Sequence, residues 1–159
     1  QQIDIVKDVS LNNVVGKVIA ILGDTIKTNA AEVKVDDLPH INGNDTMMSE
    51  LFQNLIENGI KYNRSAEKKV RVSVKDDGDN WLFEVADNGI GFDEEYAQQI
   101  FKIFKRLHND EEFQGTGIGL SICHKVVTKH GGKIWAHSKK GEGSQFFFTL
   151  PKQSSAQLN

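Results

Sequence analysis

The chain has 159 residues, of which 38% are hydrophobic and 26% charged, proportions typical of one soluble globular domain with a real core. Its net charge of −3 and pI near 6.0 give no general electrostatic reason to bind nucleic acid or an anionic membrane. No apolar stretch is long enough to span a bilayer and no signal peptide is evident, so we expect no membrane contact by this domain. The single cysteine, Cys123, excludes an internal disulfide and indicates a reducing, cytoplasmic compartment; its place in an apolar helix row predicts a small buried hydrophobe.

A strand, a helix and a second strand are predicted over the first part of the chain. Ile3 and Ile5 indicate the first strand, and Ser10 is a suitable N-cap for the helix. Apolar residues recur in this helix at spacings of three and four: Leu11, Val14, Val15, Val18, Ile19, Leu22 and Ile26. A short strand is then expected over Glu32–Val35, followed by a loop over residues 39–44.

The next helix sets two amides and a cation beside an apolar stripe. Asn44 or Asp45 is expected to cap it, and Asn54, Asn58 and Lys61 fall within roughly 60° along the flank of its apolar face. An amide oxygen is a neutral hard ligand that suits Mg²⁺ with substrate phosphates, and a lysine one turn away can neutralise phosphate charge. Taken alone, two asparagines on a helix flank are more often solvated surface residues. The apolar face consists of Met48, Leu51, Phe52, Leu55, Ile56 and Ile60.

The second half of the chain predicts two hairpins with helices between them. Alternating valines from Val70 to Val74 and the strand over residues 81–86 are joined by a polar turn. Helices are expected over residues 93–107 and 118–129, the second ended by two glycines. Strands over residues 133–138 and 144–150 form the second hairpin.

These elements predict an α/β (α+β) two-layer sandwich, in which a mixed, mostly antiparallel sheet is covered on one face by about three helices. Residues 1–151 form one predicted domain, and the polar tail 152–159 is expected to be disordered. Because the chain starts with Gln1 rather than methionine, we expect it to be part of a longer protein, whose membrane anchoring is left open.

Four motifs occur in a specific order along the chain. They are the asparagine helix at 53–62, a glycine cluster at 87–92, an aromatic segment at 101–107 and a second glycine cluster at 115–120. One such motif is weak evidence, whereas four in order are strong. Up to Pro151, this array resembles the ATP-binding catalytic domain of sensor histidine kinases, within the superfamily that also contains gyrase, Hsp90 and MutL ATPases. The resemblance implies a Bergerat-type ATP-binding fold, with the motifs as N box, first glycine box, F box and second glycine box.

Asp87 is the residue of the first glycine box that we expect to recognise the base. It ends a strand, and the resemblance implies that its carboxylate accepts from the adenine amino group. Guanine presents an oxygen there, and the unpaired acceptors would cost about 1–3 kcal/mol, which favours ATP over GTP. Gly89 and Gly91 belong to the same box, and Tyr62 is expected to line the nucleotide pocket. The Asp-Asn-Gly sequence alone would equally suit an ordinary turn.

The second glycine box opens a helix, so its backbone amides can approach phosphate oxygens at a helix N-terminus. It has neither the Gly-Lys-Ser/Thr of a Walker loop nor the Rossmann spacing, and alternating glycines alone are often just a flexible turn. Residues 108–114 are the candidate lid, with acidic side chains that indicate solvent exposure. The expected nucleotide-binding residues of this box are Gly115, Thr116, Gly117, Ile118, Gly119 and Leu120.

In the aromatic segment, Phe101 and Phe104 are most simply core residues, because aromatic side chains at helical spacing usually pack. The resemblance implies that Arg106 approaches the γ-phosphate, with Lys105 as a nearby substitute. His108 is expected to be a solvated loop residue. The other histidines lack partners at recognisable ligand spacing and are assigned no metal role: His40, His124, His130 and His137.

Position 54 separates phosphate transfer from hydrolysis. ATPases of the superfamily carry a glutamate four residues before the metal-binding asparagine, where it activates the attacking water; here that position is Asn54. An amide cannot act as a general base near neutral pH. Efficient ATP hydrolysis is therefore disfavoured, as are the anti-sigma serine kinases, which keep the glutamate.

The sequence thus predicts the catalytic and ATP-binding domain of a two-component sensor histidine kinase. It would bind Mg-ATP, with Asn58 holding Mg²⁺, Lys61 and Arg106 on the phosphates, and Asn54 orienting the reacting group. No segment resembles a phosphoacceptor helix, so the expected partners are a helical phosphoacceptor and dimerisation domain of the same protein, absent from this chain, and a response regulator receiver domain, with no nucleic acid. Two alternatives stay open: a non-catalytic ATP-binding signalling module and, less favoured, a gyrase- or Hsp90-type ATPase.

Overall fold

The structure is a computed structural model that describes residues 3–102 and 119–152. Its strands are β1 (Val6–Ser10), β2 (Glu32–Val35), β3 (His40–Gly43), β4 (Lys69–Asp77), β5 (Asn80–Asp87), β6 (Ile134–Lys139) and β7 (Gly143–Pro151). Its helices are α1 (Leu11–Ile21), α2 (Gly23–Thr28), α3 (Asp45–Lys61) and α4 (Gly119–Lys129), and a 3-10 turn spans Glu94–Tyr96.

The main sheet has five strands in the order β2-β4-β5-β7-β6. β2 runs parallel to β4, and the other neighbours are antiparallel. β4 with β5, and β6 with β7, are the two predicted hairpins. The antiparallel register of β5 and β7 sets Asp87 opposite Ser144, so the end of the first hairpin meets the start of the last strand.

Helices pack on one face of this sheet, and the core lies between the two layers. Three fully buried rings occupy its centre: Phe52 from α3, Phe83 from β5 and Phe148 from β7. Phe83 and Phe148 stack with centroids 4.8 Å apart, and Phe52 meets both rings edge-on, arrangements that aromatic quadrupoles favour. The predicted two-layer class, a mixed sheet with helices on one side, is confirmed.

The two predicted helix caps are present. Ser10 accepts a hydrogen bond from the Asn13 amide at the start of α1, at 3.2 Å. Asn44, rather than Asp45, caps α3 by accepting from the Met47 amide at 2.9 Å. Each cap satisfies one of the backbone donors that a first helical turn leaves unpaired.

The prediction for residues 39–44 was wrong, because part of this segment is a strand. His40–Gly43 pairs antiparallel with Val6–Ser10 in a small second sheet. The first strand lies slightly beyond Ile3 and Ile5 and carries an irregularity near Asp8, whose φ is +57°. Proline, asparagine and glycine in the segment favour a turn locally, but pairing with a distant strand overrides that preference.

The single predicted helix through Leu11 and Ile26 is instead two helices. The chain leaves helical geometry at Leu22, where ψ is 8°, and α2 begins at Gly23, a residue with low helix propensity. Ile26 packs against the core, whereas Ile21 is 63% exposed.

The helix predicted over residues 93–107 begins later than expected within the described residues. Glu94–Tyr96 forms a 3-10 turn, and α-helical backbone starts at residue 100. The Glu94 carboxylate accepts from the Ser138 amide at 3.0 Å and meets the His137 ring at 3.3 Å, contacts that tie this first turn to β6. Phe101 is buried, as predicted.

Several predictions lie outside the described residues: Phe104 as a core residue, the lid at 108–114, the solvated His108 and the tail from residue 153 onward. Within 3–102 and 119–152, no helix has both the length and the apolarity needed to cross a bilayer.

Candidate functional site

A cleft opens between the C-terminal half of α3, the loop after β5 and the start of β7. Its empty volume is about 290 Å³, including solvent space at its mouth. It is lined by Asn58, Tyr62, Asp87, Ile90, Gly91, Phe92, Ser144 and Phe146. Apolar walls with a few convergent polar groups are typical of a small-molecule site.

Asp87 supplies the carboxylate of the cleft. Its Oδ1 atom accepts from the Gly89 amide at 2.8 Å, and the Ser144 amide also hydrogen-bonds it. Burial raises the pKa of Asp87 from 3.8 to about 7, because desolvation outweighs the two amide donors. A carboxyl poised to titrate near neutral pH at the edge of a cleft is typical of a functional residue.

Helix α3 approaches Asp87 at Gly59. A Cβ atom at position 59 would lie 3.0 Å from the Asp87 Cβ and 2.8 Å from a Val70 methyl group. A larger residue would therefore push the helix away from the ends of β4 and β5. The glycine next to Asn58 therefore keeps the asparagine helix close to Asp87.

Both glycines of the first glycine box are required by close packing. A Cβ at Gly89 would collide with the Tyr62 carbonyl oxygen, and one at Gly91 would collide with the Lys139 carbonyl oxygen. Gly91 also has a φ of +63°, which residues with a side chain rarely adopt. The glycine spacing read from the sequence therefore reflects the shape of this loop.

The loop over residues 87–92 is fastened on two sides. The Ile90 amide donates to the Tyr62 carbonyl at 2.9 Å, which ties the loop to the end of α3. On the other side, the Gly141 amide donates to the Ile90 carbonyl at 2.7 Å, and the Phe92 amide donates to the Ser138 hydroxyl at 2.8 Å. The β6–β7 hairpin thus holds the loop in place.

Asn58 and Tyr62, for which the sequence predicts contact with a nucleotide, both lie on the α3 side of the cleft. Within the described ranges, the Asn58 side chain makes no hydrogen bond to another residue, so its amide oxygen is available to a ligand. Tyr62 is buried, and burial, followed by the negative charge of Glu57, raises its pKa. Its ring therefore contributes as a neutral wall.

Asn54 lies one turn before Asn58, where α3 touches the start of α4. Its amide nitrogen donates to the Glu50 carbonyl at 2.8 Å. A Cβ at Gly119 would lie 2.5 Å from the Asn54 Oδ1, so the last glycine of the second glycine box is packed against this amide. The fold therefore places the last glycine of the second glycine box against the N box.

Lys61 does not line the cleft. Its ammonium pairs with Glu57 at 3.1 Å, an i,i+4 contact on the same helix, and its side chain is 38% exposed. To reach a phosphate, this lysine would have to leave Glu57.

The other predicted site residues divide into two groups. Leu120 is buried in the core, so its side chain packs there and only its backbone could face a ligand. Six lie outside the described residues: Lys105, Arg106, Gly115, Thr116, Gly117 and Ile118.

Sequence reasoning missed Ser144 and Asn88. Ser144 lines the cleft because β7 pairs with β5, a contact between distant segments that no local pattern announces. The Asn88 side chain accepts from the Asn63 side chain and the Lys69 amide, both at 2.9 Å, and donates to the Glu67 carbonyl at 2.7 Å. It closes the base of the loop, and its position after Asp87 was the available signal.

Two minor expectations concern residues away from the cleft. Cys123 is fully buried, and burial raises its pKa, so it is the small hydrophobe that the helix pattern predicted. The described residues contain no cluster of three or more histidine, cysteine, aspartate or glutamate side chains suited to a metal ion.

A family model describing histidine kinase-, DNA gyrase B- and HSP90-like ATPases matches residues 43–154, well over half of the chain. The chain belongs to this family. The matched region contains the cleft and the asparagine helix, so this is an ATP-binding domain, and its relatives are of the sensor histidine kinase type.

Two curated relatives illustrate that similarity. The chain is 41% identical over 141 residues to phytochrome-like protein Cph1 of Synechocystis sp., covering 89% of this chain and 19% of Cph1. It is 35% identical over 150 residues to the adaptive-response sensory kinase SasA of Prochlorococcus marinus, covering 91% of this chain and 39% of SasA. The chain therefore spans well under half the length of either relative.

Solved structures of histidine kinases have the same fold as this chain. The nucleotide-free catalytic domain of histidine kinase ThkA superposes with a TM-score of 0.76 at 27% identity, covering 94% of this chain and 97% of that domain. ThkA in complex with response regulator protein TrrA gives a TM-score of 0.73 at 23% identity, covering 94% of this chain and 42% of that one, a likeness of fold alone.

Proposed function

We propose that this ATP-binding domain transfers the γ-phosphate of ATP to a histidine on a separate dimerisation domain, as the catalytic part of a sensor histidine kinase. The observation that carries the proposal is the amide at position 54. Asn54 lies at the contact between α3 and α4, where the hydrolases of the superfamily carry the glutamate that activates water.

An amide at this position cannot remove a proton from water, so hydrolysis lacks its base. One carboxylate on the same helix, Glu57, is engaged with Lys61. Asp87 is held by the amides of Gly89 and Ser144 at the base-recognition end of the cleft. A histidine acceptor supplies its own nucleophile, so the domain needs only to position the phosphate and balance its charge.

Mg²⁺ fits the chemistry of the donor set on α3. Asn58 offers a neutral amide oxygen that has no partner among the described residues, and Mg²⁺ commonly takes one or two protein ligands together with waters and substrate phosphates. When bound, the ion would supply charge neutralisation at the phosphates. Asn58 would hold it, and Asp87 would accept from the adenine amino group.

The phosphates would meet cations and backbone donors from several segments. Lys61 would exchange Glu57 for phosphate oxygen, and Arg106, with Lys105 beside it, would approach the γ-phosphate. The second glycine box, residues 115–120, would offer its amides at the start of α4, where a helix N-terminus favours negative charge. Asn54 would orient the reacting group.

The proposed partners are the dimerisation domain that carries the acceptor histidine and the receiver domain of a response regulator. The likeness to histidine kinase domains supports this assignment. We propose no nucleic-acid or membrane contact for this domain, and a cytoplasmic location.

The test is phosphate transfer in trans. The chain is incubated with Mg-ATP labelled on the γ-phosphate and a separately produced dimerisation domain of a sensor histidine kinase. We expect label on the acceptor domain and none when its histidine is replaced by glutamine. Label on neither domain, with ATP bound, would support a non-catalytic module.

A second measurement separates transfer from hydrolysis. Steady-state phosphate release by the chain alone is expected to stay near the background rate of ATP. Rapid release in the absence of an acceptor would instead assign the chain to the gyrase or Hsp90 kind of enzyme.

A further inference from the structure

The hydroxyl of Ser138, on β6, meets three polar groups behind the cleft. Its Oγ atom lies 2.8 Å from the Phe92 amide nitrogen, 2.7 Å from the Gly143 carbonyl oxygen and 3.1 Å from the Ser144 Oγ. Ser138 does not line the cleft, whereas Phe92 and Ser144 do.

The chemistry of these groups fixes the direction of each hydrogen bond. A hydroxyl carries one proton and two acceptor lone pairs. The Phe92 amide only donates, and the Gly143 carbonyl only accepts, so the Ser138 proton goes to Gly143. Nothing is left on Ser138 to donate to Ser144, and the Ser144 hydroxyl must therefore donate to Ser138.

The position of Ser138 itself is held by its backbone. The Ser138 amide donates to the Glu94 Oε1 at 3.0 Å, and Glu94 also pairs with His137. The hydroxyl consequently stands at a fixed place between the nucleotide loop and β7, and its three partners use its full hydrogen-bonding capacity.

The arrangement determines what Ser144 can offer to a ligand. Its proton is turned toward Ser138, so the side facing the cleft presents lone pairs only. Asp87, opposite Ser144 in the sheet, is also an acceptor when ionised, and the Gly89 amide nearby is already used by Asp87. This end of the cleft therefore presents acceptors without a free donor from these three residues.

We propose that Ser138 is a specificity-determining positioning residue, which holds the Ser144 hydroxyl as an acceptor so that the cleft takes the amino group of adenine and rejects the carbonyl of guanine. The proposal rests on the proposed function, since it requires that ATP binds in this cleft. Without Ser138, the Ser144 hydroxyl is free to rotate and donate to a guanine oxygen. A site that matches one hydrogen-bonding pattern discriminates because the wrong ligand leaves buried groups unpaired.

The test compares Mg-ATP and Mg-GTP affinities by calorimetry for the unmodified chain, Ser138→Ala and Ser138→Thr. For Ser138→Ala we expect the ratio of ATP to GTP affinity to fall about tenfold, with GTP binding tighter than to the unmodified chain. Ser138→Thr keeps the hydroxyl and should restore the ratio. Ser73→Ala, on β4 outside the cleft, is the matched control and should change neither affinity.

The ratio distinguishes positioning from a merely structural role. A loosened loop would weaken both nucleotides together, so an unchanged ratio in Ser138→Ala overturns the proposal. Failure of the unmodified chain to bind either nucleotide would instead refute the ATP site, and the proposal with it.

Ser144→Ala gives an independent readout if Ser138→Ala proves too unstable to titrate. Ser144→Ala leaves the anchor of the loop intact and removes the hydroxyl through which Ser138 acts, so the ratio should fall in this variant alone. Where Ser138→Ala can be titrated, the double-mutant cycle is completed by adding it to Ser144→Ala, which should cause no further fall. An additional fall, or full discrimination in Ser144→Ala, would contradict the proposed route.

Discussion

The two ends of the cleft are built in different ways. At the end of the cleft proposed to recognise the base, Asp87 accepts from the nearby Gly89 amide and from the amide of Ser144, which lies far along the chain on β7. At the end proposed to hold the phosphates, the hydrogen bond of Asn54 and the ion pair of Lys61 stay within α3, to Glu50 and Glu57 respectively.

The difference indicates which part of nucleotide binding is prepared in advance. A network that already links several elements loses little freedom when the base arrives, and preorganisation of this kind favours affinity and selectivity. Lys61 must leave Glu57 to contact a phosphate. Its contribution to ATP affinity is therefore the difference in free energy between an ion pair with phosphate and the ion pair with Glu57. Selectivity for the base should thus be fixed by the fold, while phosphate contacts should be adjustable by single substitutions.

Removing the proposed metal ligand should produce the largest effect. We expect Asn58→Ala to weaken Mg-dependent ATP binding on the order of 100-fold, because the loss of a direct ligand should be at least as costly as the loss of an outer-shell partner. Calorimetry with and without Mg²⁺ measures the change. Asn13→Ala, on the exposed face of α1, is the matched control, and equal Mg-ATP affinity in both variants would rule out the metal role.

Asp87→Asn should weaken ATP binding and, at higher pH, stabilise the ligand-free protein. ATP binding is expected to weaken by about 1–3 kcal/mol, since the amide offers a donor where adenine also presents one. The raised pKa means that Asp87 contributes stability that is present below about pH 3.8 and lost as the pH rises through about 7.

The ligand-free Asp87→Asn variant should therefore be more stable than the unmodified chain near pH 8, by on the order of a few kcal/mol, because each pKa unit corresponds to about 1.4 kcal/mol. Urea unfolding at about pH 5 and pH 8 measures the gain, which should shrink at the lower pH. A variant that is less stable at the higher pH would contradict the burial of charge at this position.

The same pKa predicts that ATP binding releases protons. A carboxyl with a pKa of about 7 is half protonated near pH 7, and the adenine amino group favours the ionised form. ATP affinity should rise about tenfold between roughly pH 6 and pH 8, with about half a proton released per ATP near pH 7. Calorimetry in buffers of different ionisation enthalpy measures this release, and Asp87→Asn, as control, should remove the part that belongs to the protein.

Freeing Lys61 should produce the smallest effect. Glu57→Gln removes the ion pair that holds the lysine on α3, so ATP binding should tighten by a factor of about two to five, in line with the worth of a partly exposed pair. Glu32→Gln breaks the exposed pair with Lys34 and serves as control. Weaker ATP binding to Glu57→Gln would mean that the carboxylate itself assists the nucleotide.

The asparagine helix was predictable because its information is local. Six apolar residues at helical spacing and a capping asparagine specify α3 with little help from the rest of the chain. The same holds for the β4–β5 hairpin, whose alternating valines and polar turn are adjacent in sequence. The position of Asp87 at the end of that hairpin was likewise visible in the sequence.

Two of the missed features, strand β3 and the position of Ser144, depend on contacts between distant segments. His40–Gly43 is a strand only because Val6–Ser10 lies beside it, and Ser144 reaches the cleft only through the register of β7 on β5. The role expected for Lys61 overlooked Glu57, although their spacing of four on one helix was visible in the sequence. The role of Lys61 at the phosphates was predicted from the order of the motifs. Motif order does not show which other side chains, such as Glu57, compete for the lysine.

The most direct test of the account is a calorimetric titration of the unmodified chain with ATP, ADP and GTP, each with and without Mg²⁺. We predict one site that binds ATP, binds it more weakly without Mg²⁺, and discriminates strongly against GTP. Equal binding of GTP, or ATP binding that is indifferent to Mg²⁺, would contradict a cleft that reads adenine through Asp87 and holds the metal through Asn58.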